Sequence, residues 1–302
     1  MVIANDIVQQ AKRARVAILA FNIPYLPMMK PVIAAVVAQE SVAMVSTARL
    51  EWLKFEARNP AAVRAEFERW KKPGYIWLHL DHVPVLDEDG LSVAVEPIIA
   101  EAIGLGYQSV MVDGSRLALQ ENIEATRSIV ALAHQAGVAC EAELGAVLGH
   151  ESGPIPSYEE LFASGKGFTD PDEAQRFVKQ TGCDWLSVAI GNIHGAISGV
   201  RKDQKKVEAR LNLDRLDQIA QATGVPLVLH GGSGVKQEFV NAAIQGGIAK
   251  INIGTEIRQV YEATLRETGS ILSAQAAVFD RTTWLIRDAY GLAGIRRLIS
   301  IE

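Results

Sequence analysis

Leu78-His79-Leu80-Asp81-His82 is the stretch on which the reading of the chain turns. It follows Tyr75-Ile76-Trp77, so the whole run reads as a buried strand that ends in a carboxylate and an imidazole side by side. Val83-Pro84 comes next and is expected to break the strand. A polar pair at the carboxyl end of a parallel strand is where α/β enzymes hold their reacting groups. Taken alone, the fragment is equally compatible with a strand end that only caps the next segment.

Outward from this stretch, short β-rich runs alternate with helical ones. Strands are expected at 16–22, 42–47, 75–82, 109–113, 138–145, 185–191, 226–230 and 249–253. Helical periodicity falls between them, at 32–38, 60–71, 91–105, 119–135, 172–181, 214–222, 237–245 and 256–268. Gly106 and Gly137 are placed to end two of these helices. Eight βα units predict a (β/α)8 TIM barrel of class α/β, with a C-terminal helical extension over about 271–302 split at Gly291. An open doubly wound sheet would need a glycine-rich nucleotide loop after the first strand, and Phe21-Asn22-Ile23-Pro24 is not one. No linker suggests a second domain, so residues 1–302 are read as a single unit. The stretch 146–169 is long and without period, which inside a barrel marks a functional or mobile loop.

Composition narrows the partners. The chain has 302 residues, 49% hydrophobic, and a formal net charge of −5 spread along its length. No basic stripe points to nucleic acid, and no apolar run reaches the ~20 residues of a membrane helix. The start lacks a signal-peptide pattern, so a soluble cytoplasmic protein is expected. Cys140 and Cys183 have no CxxC neighbours and read as small buried hydrophobes.

The strand ends carry the chemistry. In order they offer Asp81-His82, Asp113-Gly114-Ser115, Glu143-Leu144-Gly145, Gly191-Asn192-Ile193-His194-Gly195, His230-Gly231-Gly232-Ser233-Gly234 and Asn252-Ile253-Gly254-Thr255. Of six histidines, His82, His194 and His230 fall at three such ends. Three imidazoles on one divalent ion leave an open coordination position, the pattern of a catalytic zinc site. His79 would point into the barrel beside Asp81, and His134 lies on a helix. The glycines of the last two loops let backbone amides approach an anion, and barrel phosphate sites commonly lie there. Each loop read alone is equally a tight turn. On the fifth strand Glu141 and Glu143 share a face, and buried carboxylates need cations. Lys250, on the inner face of the last strand, is the expected partner of Glu141.

LHLDH, MVDGS, EAELG, GNIHG, LVLHGGSG and INIGTE, in this order and spacing, resemble the zinc-dependent class II ketose-bisphosphate aldolases, over about Phe21 to Arg258. The resemblance implies a barrel that forms homodimers or homotetramers and acts in carbohydrate metabolism. It implies an aldehyde-lyase that reversibly cleaves a ketose 1,6-bisphosphate, of fructose or tagatose type, to dihydroxyacetone phosphate and an aldehyde through a zinc-stabilised enediolate. His82, His194 and His230 would hold one Zn2+, with Asp113 and Glu143 as a candidate second site. Asp81 would be the acid at the C4 oxygen, and Glu151 the mobile-loop base. Gly195, Gly231, Gly232, Ser233, Asn252, Gly254 and Thr255 would bind dihydroxyacetone phosphate, with backbone carbonyls holding Na+ or K+. Arg258 would reach the distal phosphate of a neighbouring subunit.

The chain also departs from that pattern. Ile23-Pro24-Tyr25-Leu26 follows Asn22, Ser46-Thr47-Ala48-Arg49 replaces a Ser-Glu-Gly-like turn, and Arg116 follows Asp113-Gly114-Ser115. Gly254 stands where fructose-type members carry Asp and tagatose-type members a small residue. These changes leave the dihydroxyacetone phosphate half intact and alter the aldehyde half. Arg49 and Arg116 read either as cations for an unusual aldehyde or as solvent-exposed arginines. A metal-dependent epimerase or isomerase on the same scaffold, sharing the enediolate but not the cleavage, stays open. So do an aldolase for a different aldehyde and a non-catalytic sugar-phosphate sensor.

Overall fold

The computed structural model describes residues 3–145, 158–192, 209–232 and 235–299. Eight parallel strands, β1 (Ile18–Asn22), β2 (Ala43–Thr47), β3 (Ile76–Pro84), β4 (Ser109–Asp113), β5 (Ala139–Leu144), β6 (Trp185–Val188), β7 (Leu227–Leu229) and β8 (Ile248–Ile253), pair in sequence order. β8 pairs back on β1 and closes the barrel. The helices between them are α2 (Met29–Ala38), α3 (Arg49–Lys54), α4 (Pro60–Trp70), α5 (Val95–Gly104), α6 (Leu119–Gln135), α7 (Tyr158–Ser164), α8 (Pro171–Thr181), α9 (Leu213–Thr223) and α10 (Gln237–Gln245). After β8 come α11 (Thr255–Thr268) and α12 (Ile271–Trp284), the latter running into a π-helical turn at Leu285–Ala289. Past Gly291 a single 3₁₀ turn, Ile295–Arg297, replaces the expected second helical piece.

Strand alternation sorts the side chains. One face of each strand, with Leu78 and Leu80, Cys140 and Ala142, Ile251 and Ile253, packs under the helices and is buried. The opposite face points into the barrel, and it is polar: Asn22, Ser46, His79, Asp81, Glu141, Glu143, Ser187, Lys250 and Asn252 are all buried. The register ties these positions to common layers, with Asn22 opposite Ser46, Ser46 opposite His79, and Glu143 opposite Ser187.

α1 (Ala4–Ala14) and α3 are two of the helices outside the alternating pattern. α1 precedes the barrel and buries Ala4, Ile7, Val8 and Ala11. Its Asn5 accepts from the Trp185 indole at 2.9 Å and donates to Asp184 at 3.2 Å, which seals the amino-terminal end of β6. α3 is a six-residue helix closed by Glu51, whose side chain accepts from the Ala48 amide at 2.9 Å. An alanine at the N-cap hides this helix from a search for Ser, Thr, Asp or Asn. The helix expected at 91–105 starts later, at Val95, because Leu86 and Ser92 bridge first.

β3 also differs from expectation. Val83-Pro84 does not end it; the pairing with β4 slips between Leu80 and Val83 and then resumes, with Pro84 opposite Asp113. His82 sits in this slip with φ of 89°, a left-handed conformation costly for a residue with a Cβ. Such strain persists only where neighbouring contacts over-determine it.

Gly114, next to Asp113, has no room for a side chain. A Cβ there would overlap the Asn122 amide, which is fixed by bonds to the Glu143 carbonyl at 3.0 Å and to Thr126 at 3.0 Å. Gly114→Ala is expected to lower unfolding free energy by about 1–3 kcal/mol in urea titration, since the buried amide cannot swing aside. A change below experimental error would show that the Asn122 clamp is loose.

Candidate active site

A single ammonium organises the interior. Lys250 is fully buried and donates to Glu141 Oε2 at 2.7 Å and to Asn252 Oδ1 at 2.7 Å. The Lys250–Glu141 pair is the one expected from the strand faces. Two arms leave it. On one, Glu141 Oε1 lies 2.8 Å from His230 Nε2. On the other, Asn252 donates to Asp81 Oδ1 at 2.9 Å, while Asn22 donates to Asp81 Oδ2 at 2.7 Å. Both Asp81 oxygens therefore face amides. Burial by itself would raise the Asp81 carboxyl, but the fields of His230, His82, Lys250 and His79 outweigh it and hold it well below the usual carboxylate range. Burial opposes the Glu141 charge too, and Lys250 and His230 overcome it, leaving Glu141 near 2.

Beside Asp81 lies a donor cluster. One ligand atom each from His82, Glu143 and His230 falls within 4.8 Å of the others. The His82 and His230 rings meet edge to face at 5.0 Å. His82 Nδ1 is 3.1 Å from Asp113 and its Nε2 is 3.5 Å from Glu143. Each imidazole thus has one nitrogen against a carboxylate, Asp113 for His82 and Glu141 for His230. That arrangement fixes ring orientation in metal-ligating histidines. Burial disfavours a charged His82, yet the Asp113 hydrogen bond and the fields of Glu143, Asp113 and Asp81 push it up to about 10. Burial and the nearby Asp113 push Glu143 up to about 8, His82 acting against them. Two imidazole nitrogens and a carboxyl, which give up their protons to a bound ion, make a donor set that a divalent cation fits. A second trio, His79, Asp81 and Glu141, is also close. Its carboxylates already accept from Lys250, Asn22 and Asn252, which argues for structure rather than metal binding.

Of the predicted site residues, the structure brings together Asp81, His82, Asp113, Glu143, His230 and Asn252. Asn252 is engaged with Asp81 and Lys250 inside the barrel. Gly231 has φ of 67°, and Asn192 donates to the His230 carbonyl at 2.9 Å, tying the loop after β6 to the end of β7. Gly254 caps α11, and Thr255 is its first residue, so the amides of that helix end open onto the barrel mouth. Glu151, His194, Gly195 and Ser233 lie outside the described residues. Arg258 is buried and one of its guanidinium nitrogens lies 2.8 and 2.9 Å from the two Glu262 oxygens, with the guanidinium over Phe55. Arg49 pairs with Asp87, and Arg116 is exposed. Glu51, which the sequence reading did not single out, is buried, accepts from the Ala48 amide and lies close enough to Asp81 for the two charges to interact. Cys140 and Cys183 are buried free thiols, and His134 is exposed against Asp184.

The family model for class-II fructose-bisphosphate aldolase matches residues 2–291. A probable fructose-bisphosphate aldolase of Bacillus subtilis is 35% identical over 74% of this chain and 69% of its own. A fructose-bisphosphate aldolase of Staphylococcus epidermidis is 36% identical over 69% of this chain and 63% of its own, so the match spans under two thirds of that relative. The crystal structure of the YdjI aldolase of Escherichia coli K12 superposes with a TM-score of 0.76 at 28% identity, covering 97% of this chain and 99% of that one.

Lys250→Met leaves Glu141 buried without its cation and is expected to cost about 3–5 kcal/mol of unfolding free energy in denaturant titration. A second expectation concerns His79, fully buried with Nδ1 2.9 Å from Ser109. Burial, with Lys250 nearby, lowers it from 6.5 to about 3. The unfolded chain therefore binds its proton first, so the stability that the neutral ring gives is complete above 6.5 and is lost as pH falls toward 3. Replacing His79 by Gln should flatten unfolding free energy against pH between those values; an unchanged slope would assign it to the carboxylates instead.

Proposed function

The chain belongs to the class-II fructose-bisphosphate aldolase family of aldehyde-lyases, and on that premise we propose that it is a zinc-dependent aldolase. It would reversibly cleave a ketose 1-phosphate or 1,6-bisphosphate to dihydroxyacetone phosphate and an aldehyde. The observation that carries this reading is the gathering of His82, Glu143 and His230 with one ligand atom each within 4.8 Å of the others, next to a buried and ionised Asp81.

His82 and His230, with His194 by motif, would hold the ion; Asp113 and Glu141 set the ring orientations and Glu143 completes the donors. Bound there, the ion supplies Lewis-acid polarisation of the substrate ketone, worth several kcal/mol of developing charge. Asp81 is held ionised by two amides and so accepts the C4 hydroxyl proton as the C3–C4 bond breaks. The bonding pair stays on the three-carbon fragment, and the aldehyde leaves. In condensation the same carboxyl returns the proton to the C4 oxygen. Glu151 is assigned by motif the proton at C3 of dihydroxyacetone phosphate. Each such acid–base role is typically worth ~10²–10⁴-fold. Gly231, Gly232, Gly254 and Thr255 line the mouth where helix and turn amides suit the 1-phosphate, with Gly195 and Ser233 added by motif and Na+ or K+ on loop carbonyls. Among the described residues no helix is long and apolar enough to cross a membrane. The reading takes the enzyme as cytoplasmic and as a homodimer or homotetramer.

The test is a zinc-loaded aldol reaction monitored by a coupled dehydrogenase that traps dihydroxyacetone phosphate, beside an EDTA-treated control. Activity is expected with zinc, to vanish with EDTA and to return on adding the ion. Asp81→Asn should lower condensation by ~10²–10⁴-fold while dihydroxyacetone phosphate still exchanges its C3 proton with solvent. Full turnover by the demetallated protein would refute the reading.

A further inference from the structure

The part of the mouth beyond Asp81, on the β1–β2 side, is built unlike the phosphate end. Asn22, Ser46 and Glu51 lie on that side, all buried. Asn22 and Ser46 are opposite one another on the inner face of the barrel, Asn22 donates to Asp81, and Glu51 lies near Asp81. The Ser46 hydroxyl is buried with no hydrogen-bond partner among the described residues, so it is available to a ligand there. The Ala48 amide, the backbone donor at this turn, is already taken by the Glu51 carboxyl. Hydroxyl, amide and carboxyl groups, with no cation among them, suit a hydroxylated ligand and not a dianion.

Among the described residues, the neighbouring cations are engaged elsewhere. Arg49 is paired with Asp87 and Lys54 with Glu88. Arg258 donates through one guanidinium nitrogen to both oxygens of Glu262, which also accepts from the Tyr25 hydroxyl at 2.8 Å, and is stacked over Phe55. A charge-assisted pair with little exposure is the strongest of these arrangements. Arg58 and Arg116 are exposed, where water screens their charge.

We infer that the aldehyde half of the substrate is uncharged and hydroxylated, so that this chain acts on a ketose 1-phosphate without a second phosphate. Asn22, Ser46 and Glu51 read its hydroxyls, and the Glu262–Arg258 pair withholds the cation that a distal phosphate would need. This rests on the aldolase reading above and narrows it.

The experiment uses the zinc-loaded full-length protein in two arms. The first follows solvent deuterium exchange into dihydroxyacetone phosphate alone, which needs no aldehyde. The second compares condensation with three- to five-carbon hydroxyaldehydes, each with and without a terminal phosphate. Exchange is expected, with kcat/KM at least about ten-fold higher for the unphosphorylated member of each pair, the scale of one poorly compensated charge. Glu262→Gln, which removes the anion holding Arg258, should raise kcat/KM for the phosphorylated members several-fold and shrink the ratio. No exchange at all would overturn the aldolase reading and this inference with it. Exchange with a preference for phosphorylated aldehydes, or with no product from any unphosphorylated one, would overturn this inference alone. A ratio unmoved in Glu262→Gln would overturn the role given to the ion pair.

Discussion

A charge in the centre of a barrel must be answered by another charge, and Lys250 is the answer here. Its ammonium lies on the inner face of β8, where no water can solvate it, and it is stable only because Glu141 and Asn252 accept from it. The consequence reaches the mouth. Glu141, fixed by Lys250, fixes His230, and Asn252, fixed by Lys250, fixes Asp81. A proposed metal ligand and the proposed acid–base group therefore share one anchor below the site. Truncating a member of such a network strands its neighbours in a low dielectric, which is why it holds its groups so rigidly.

The second constraint is backbone strain at His82. A non-glycine residue with φ of 89° in a strand slip is held there by its surroundings, and Asp113 and Glu143 are what the ring meets. The slip turns two successive residues, Asp81 and His82, toward the same cavity, which an unbroken strand would send to opposite faces. One local irregularity thus sets the proposed acid–base carboxylate beside the donor cluster.

Much of this was legible in the chain. The eight βα units, the layer of Glu141 and Lys250, and the placing of His82 and His230 at strand ends follow from alternation and from the carboxyl-end rule. Other features depend on contacts between distant residues. Glu51 closes a helix capped by alanine, so no local pattern flags it, and its neighbour Asp81 is thirty positions away in sequence. Arg258 resembles a distal-phosphate arginine by motif, and only the fold shows its guanidinium buried over Phe55 against a half-buried Glu262. Val83-Pro84 reads as a strand break because proline lacks the ladder donor, yet the slip in register lets β3 continue through it.

The central claim is that one divalent ion is held by imidazoles gathered from distant parts of the chain. X-ray absorption at the zinc edge of the loaded protein, compared with His82→Ala and His230→Ala, measures this most directly. The account predicts nitrogen scatterers at about 2.0–2.1 Å in the intact protein, with fewer in each variant. An oxygen-only shell, or a spectrum that neither substitution alters, would contradict it.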